Sequence, residues 1–201
     1  MKQTAMTIAY PVGKNLYLNL TNRCPCACTF CIRTMGSSAY GSDPLWLEHE
    51  PSWEEVKAAL DAVDVCSYEE VVFCGFGEPT ERLELLCKTA AYLKEQGVHC
   101  IRLNTNGLSD LLHERKTAQD LHGLVDIVSI SLNAGTEERK VTRPKFPNAF
   151  AALQEFAADC KDSVPTIMYS VVDILPKAEL DAAQALADRQ GIPLRVRKFE
   201  H

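Results

Sequence analysis

Four thiols fall within eight residues in Cys24-Pro25-Cys26-Ala27-Cys28-Thr29-Phe30-Cys31, and three of them, Cys24, Cys28 and Cys31, have C-x3-C-x2-C spacing. Thiolates are soft ligands that suit iron–sulfur clusters, zinc and Cu(I), and a compact loop can bring three of them onto one face of a cubane. A four-iron cluster held by three cysteines keeps one iron without a protein ligand. That iron can bind and activate a small molecule, whereas a four-cysteine site is closed and suits electron storage or structure. Cys26 reads either as a small side chain in a tight loop or as an alternative ligand or resolving thiol. A structural zinc site needs a second close-set pair. Cys66, Cys74, Cys87, Cys100 and Cys160 are far apart, form no such pair, and read as buried small hydrophobes.

The elements that must position this loop are short apolar stretches alternating with helical patterns, which argues for parallel βα units. The expected strands are 14–21, 70–74, 99–104, 126–132, 166–172 and 194–199, and the segment 36–51 reads as a loop. Expected helices run from a Ser52 cap to 65, then over 80–96, 109–121, 148–160 and 177–190. Glu55 completes a capping box with Ser52, and Gly97 ends the second helix. Six such strands are fewer than the eight of a closed barrel, so an open, partial (βα)6 barrel with a parallel sheet is the expected α/β fold. A doubly wound sheet shares the same alternation.

The strands alternate in polarity, although parallel strands covered on both faces normally read as continuous apolar runs. Leu16, Leu18 and Leu20 oppose Asn15, Tyr17, Asn19 and Thr21; Val128, Ile130 and Leu132 oppose Ser129, Ser131 and Asn133. Arg102 and Asn104 alternate with Ile101 and Leu103, and Arg195 and Arg197 with Leu194, Val196 and Lys198. Apolar faces against helices and polar faces toward a ligand-filled interior give this pattern; so does an antiparallel sheet with one solvated face.

The chain has 201 residues, 46% hydrophobic and 24% charged, as expected of a soluble globular protein of one domain or a small pair. Nine cysteines without a secretory h-region near Met1 point to a reducing cytoplasm rather than a disulfide framework. No apolar run is long enough to cross a bilayer. A net charge of −6 disfavours a broad nucleic-acid-coating surface and leaves room for a local basic groove. His49, His99, His113, His122 and His201 show no metal spacing.

With Phe30 in its aromatic slot, C-x3-C-x-aromatic-C resembles the signature of the radical S-adenosylmethionine enzymes. The resemblance implies that Cys24, Cys28 and Cys31 hold a [4Fe–4S] cluster whose open iron chelates the amino and carboxylate groups of S-adenosylmethionine. Reductive cleavage would give a 5′-deoxyadenosyl radical that abstracts hydrogen from a substrate the sequence does not identify. It further implies an oxygen-sensitive protein served by an electron donor such as a flavodoxin or ferredoxin, with residues 1–201 as one core domain. Gly75-Phe76-Gly77-Glu78-Pro79 looks like the Gly-Gly-Glu segment that binds the methionine amino group, with Phe76 replacing the second glycine; a plain βα turn also explains the glycines. Asn104, in Asn104-Thr105-Asn106-Gly107, is the expected methionine contact, and Ser131 and Asn133 the expected ribose contacts. Arg143 could reach the methionine carboxylate as a charge-assisted fork, or stand solvated in its loop. Arg195 and Arg197 suit an anionic substrate group or a surface pair. Ser-Leu-Asn-Ala-Gly at 131–135, Thr-Arg-Pro at 142–144 and the closing Leu-Arg-Val-Arg-Lys-Phe resemble the small radical S-adenosylmethionine proteins named for linkage to TatD-type hydrolases. The competing function class is a non-catalytic iron–sulfur or zinc-binding interaction module, and a second subunit, a peptide or an RNA could cover an open flank.

Overall fold

A computed structural model describes residues 3–136 and 139–199, and His201 lies outside the described residues. One sheet contains all the named strands: β1 (Ala9–Val12), β2 (Asn15–Leu18), β3 (Val71–Phe73), β4 (Ile101–Thr105), β5 (Ile127–Ser131), β6 (Thr166–Val172) and β7 (Leu194–Arg197). Their order in space is their order in the chain. From β2 to β7 every neighbouring pair is parallel. Crossovers of one hand that always step the same way across a sheet put their helices on one face. A doubly wound sheet needs a reversal of strand order, and there is none. The expected open α/β arrangement of six parallel strands is therefore the one that forms.

The helices are α1 (Trp53–Asp61), α2 (Leu83–Glu95), α3 (Ser109–His113), α4 (Arg139–Thr142), α5 (Ala149–Ser163) and α6 (Lys177–Gln190). The Ser52 capping box is present: Glu55 N donates to Ser52 Oγ at 3.2 Å and Ser52 N to Glu55 Oε2 at 2.8 Å. Strand residues Leu16, Leu18, Phe73, Leu103, Val128, Ile130 and Val171 share one buried cluster with Val56, Leu60, Leu86, Leu93, Phe156 and Ala187 of the helices. Alternate residues of a strand face opposite ways. The other face of the sheet therefore presents Tyr17, Arg102, Asn104, Ser129, Ser131 and Ser170, all of which line a cavity of about 1130 Å³.

Several boundaries differ from the sequence expectation. β1 is an additional strand, antiparallel to β2 across the two-residue loop Gly13-Lys14. Gly13 takes φ +59 at the first loop position, where primed hairpin turns ask for glycine, and Pro11 is tolerated because β1 is an edge. The first helix stops at Asp61, and Asp64 then caps a separate turn at Val65–Ser67 by accepting from Cys66 N. The stretch 80–96 begins as a tighter turn, Pro79–Arg82, before α2. The expected helix over 109–121 breaks at Glu114, which adopts a left-handed backbone at φ 53; Thr117 folds back onto Ser109 and Asp110. α6 has the bounds expected of it.

Candidate functional site

The exit from β2 is fastened by polar side chains. Asn19, fully buried, donates to the Leu45 carbonyl at 2.8 Å and accepts from Phe76 N. Thr21 Oγ1 meets Glu50 at 2.8 Å, and the Asn22 amide brackets Leu47. Asn15 and Tyr17 line the cavity as the alternation implied, but Asn19 and Thr21 instead anchor the loop over 36–51. The chain therefore enters Cys24 from a fixed base.

Beyond that base the cysteine loop is clamped to the end of α4 and the residues that follow it. Ala27 N donates to Thr142 O, Thr29 N to Val141 O and Lys145 N to Pro25 O, each within 3.0 Å. Cys24, Cys26, Cys28, Phe30 and Cys31 all border the cavity. The Cys26 thiol lies between Cys24 and Cys28; its hydrogen bonds to them, with Cys24 foremost, push it up and pull both neighbours down. Two N–H donors from elsewhere address the sulfurs. Asn106 Nδ2 lies 3.7 Å from Cys26 Sγ and 4.0 Å from Cys24 Sγ. Arg33 Nε lies 3.4 Å from Cys31 Sγ, while its Nη1 reaches the Asn22 carbonyl and its guanidinium covers Trp46.

This donor set fits an iron–sulfur cluster. Thiols border one cavity, and N–H groups are directed at their sulfurs, as in sites where outer hydrogen bonds orient ligands and tune the metal. Among the described residues no three His, Cys, Asp or Glu side chains gather around a point that could hold a single metal ion. Arg33 carried no signal in its spacing, and Asn106 stood out only as part of the Asn104-Thr105-Asn106-Gly107 segment, with Asn104 as its expected ligand contact.

The Gly75–Glu78 segment is explained by close chain approach. A Cβ at Gly75 would lie 2.7 Å from Asn19 Cβ and nearer its amide; one at Gly77 would lie 2.6 Å from Arg23 O and nearer Thr21 O. Gly75, Gly77 and Glu78 border the cavity, whereas the Phe76 ring turns away into a cluster with Tyr10 and Leu45. Glu78, 4% exposed, accepts from Thr80 N, Thr80 Oγ1, Thr105 Oγ1 and Asn106 N. Burial raises its carboxyl above the usual range, and those four bonds oppose the rise. Glu78 thus ties the end of β3 to the end of β4 and fixes Asn106 beside the sulfurs.

On the remaining wall, Asn104, Ser131 and Asn133 border the same cavity as the cysteines. Asn133 is 3% exposed, holds φ +45, and has an Oδ1 without a partner. Arg143, like Phe76, is an expected site residue that does not line the cavity: its side chain is exposed and its backbone is at φ +46. Its carbonyl accepts from Ala27 N, so its backbone serves the clamp.

Comparison with curated proteins gives no match. Among solved structures, TYW1 with a lysine-pyruvate adduct bound superposes with a TM-score of 0.62 at 15% identity, over 94% of this chain and 65% of that one. Streptococcus suis SuiB bound to S-adenosylmethionine gives 0.64 at 14%, over 94% and 40%. Methylornithine synthase (PylB) gives 0.59 at 12%, over 92% and 53%. At these identities the likeness is one of fold, and the chain spans 65% of the TYW1 chain and less of the other two. The family model described as the Radical SAM superfamily matches residues 18–187, from the end of β2 through the cysteine loop and the Gly75–Glu78 segment into α6. The chain belongs to the radical SAM superfamily.

Proposed function

We propose that the protein is a radical S-adenosylmethionine enzyme acting on an unidentified substrate, with Cys24, Cys28 and Cys31 as the ligands of a [4Fe–4S] cluster. The observation that carries this reading is the convergence of these thiols on one cavity with the polar inner face of a parallel sheet, under N–H donors from Arg33 and Asn106. Bound there, the cluster and S-adenosylmethionine would supply reductive cleavage of a sulfonium and a radical able to abstract hydrogen.

The chain's own residues then have separable tasks. Arg33 and Asn106 hold the sulfurs in place. Cys26, buried at 7% exposure, stays outside the ligand set. Asn104 and Ser131 orient the methionine and ribose ends of the cofactor, and the orphaned Oδ1 of Asn133 accepts from a hydroxyl. Phe30 and the cavity wall limit access of water. A flavodoxin or ferredoxin supplies the electron, and the reducing cytoplasm suits an oxygen-sensitive centre. Among the described residues no helix is long and apolar enough to cross a membrane.

Anaerobic reconstitution with iron, sulfide, dithionite and S-adenosylmethionine tests the reading. It should yield 5′-deoxyadenosine, and Cys31→Ala should abolish the product. A protein that takes up only zinc, or that holds a cluster and cleaves nothing, overturns it.

A further inference from the structure

Charge on the cavity wall is uneven. Every carboxylate there is engaged: Glu69 with Lys14 at 2.6 Å, Glu70 with Arg102 at 2.9 Å and with the Asn15 amide, and Glu78 with its four donors. Arg195 and Arg197 on β7 and Lys198 just after it border the same cavity, and among the described residues no side-chain ion pair or hydrogen bond holds any of the three. The Nε atoms of Arg102 and Arg197 are buried without an acceptor.

The sheet register accounts for this placement. Ser131, Ser170 and Arg195 stand side by side across β5, β6 and β7, and Arg197 stands beside Val172. Residues two apart share a face, so both arginines belong to the inner face. Burial raises the Cys74 thiol, while the Asn104 hydrogen bond and then Arg197 and Arg102 draw it down, so both guanidinium groups lie within electrostatic reach of one interior sulfur. In a chain of net charge −6, three cations without an ion pair among the described residues, two on the inner face of β7 and one just after it, run against the overall trend.

We propose that this wall seats an anionic group of the substrate, a phosphate or paired carboxylates, with Arg197 as its inner ligand and Arg195 and Lys198 at the flank. The inference rests on the radical reading above and names the substrate class for that site. Guanidinium groups offer parallel N–H donors that match such oxygens. S-adenosylmethionine brings one carboxylate together with a sulfonium and an ammonium, so it cannot neutralise the surplus. β7 stands at the opposite end of the parallel run from β2 and its cysteine loop, which leaves the space between them for the reacting part of the substrate.

Pyrophosphate is the probe, titrated calorimetrically into reconstituted protein with S-adenosylmethionine bound. Wild type should bind it saturably, Arg197→Gln should weaken binding by about tenfold or more, and Arg197→Lys should weaken it less. Arg189→Gln, on an exposed position of α6 away from the cavity, should change nothing. Matching thermal melts tie the loss to the site, and Arg195→Gln carries the same test if Arg197→Gln misfolds. Absence of saturable binding by wild type, or equal weakening by Arg189→Gln, overturns the proposal. So does a matching loss of S-adenosylmethionine affinity in Arg197→Gln, which would put the methionine carboxylate on this arginine. Protein that cleaves S-adenosylmethionine but ignores pyrophosphate sinks this inference alone. Protein that binds pyrophosphate through Arg197 but never cleaves S-adenosylmethionine supports the anion site and sinks the enzyme reading.

Discussion

Replacing Gly77 with alanine tests why the segment after β3 is glycine-rich. The new Cβ would lie 2.6 Å from the Arg23 carbonyl oxygen and closer to that of Thr21, whereas real Cβ atoms essentially never come within 3.0 Å of such neighbours. Both obstacles are backbone, so no rotamer relieves them. Either the exit of β3 or the stretch 21–23 must move, and the latter leads directly into Cys24. The Glu78 N to Arg23 O bond, 2.8 Å, moves with it. Overpacking costs about 1–3 kcal/mol and a weakened hydrogen bond adds about 1, for a loss of about 2–4 kcal/mol. In a chain of this size that lowers the melting temperature by about 4–16 °C. Circular dichroism melts of the cluster-free protein measure it, with Gly36→Ala as the control, since its nearest neighbour would be 3.9 Å away. If cluster-free Gly77→Ala melts like wild type yet no longer binds S-adenosylmethionine, the glycine serves a ligand and the packing argument is refuted.

Arg33→Gln should shift the midpoint potential of the reconstituted cluster to more negative values, because N–H donors to the sulfurs favour the reduced, more negative state. A redox titration followed by electron paramagnetic resonance reads this; an unmoved or raised potential contradicts the assigned contact. Cys26→Ala should retain the full iron content while Cys28→Ala loses it, and iron lost in both would make Cys26 a ligand. Glu78→Gln isolates a carboxyl whose folded-state pKa is raised by burial. A raised pKa means stability that is full below the unfolded value of about 4.3 and is lost as pH rises through the folded value. Wild type should therefore lose stability relative to Glu78→Gln between acidic and neutral pH; urea midpoints that diverge in the opposite sense contradict the direction.

The sequence exposes local features well and distant ones poorly. The cysteine spacing is contained in eight residues, and the alternation of Ser129, Ser131 and Asn133 with Val128, Ile130 and Leu132 places the inner face without a structure. β1 escaped because it is four residues long and contains Pro11, although Gly13 at its turn was a usable signal. The break in the expected helix at Glu114 comes from tertiary bonds of Thr117 to Ser109 and Asp110, and no glycine marks it. The same distance effect hid half the site. Asn106 reaches sulfurs some 80 residues upstream, and the demand for glycine at 75 and 77 comes from Asn19, Thr21 and Arg23. Arg143 read from its type either as a carboxylate ligand or as a solvated loop residue; its side chain is exposed, its backbone is left-handed, and its carbonyl accepts from Ala27 N, contacts between distant segments that its sequence neighbourhood does not show.

The most direct test is electron paramagnetic resonance of the anaerobically reconstituted, dithionite-reduced protein, recorded before and after S-adenosylmethionine is added. Three cysteine ligands predict a four-iron signal whose g values move on addition, because one iron can accept the amino acid end of the cofactor. A protein that holds no iron, or a four-iron signal that S-adenosylmethionine leaves unmoved, would contradict the open site on which the account depends.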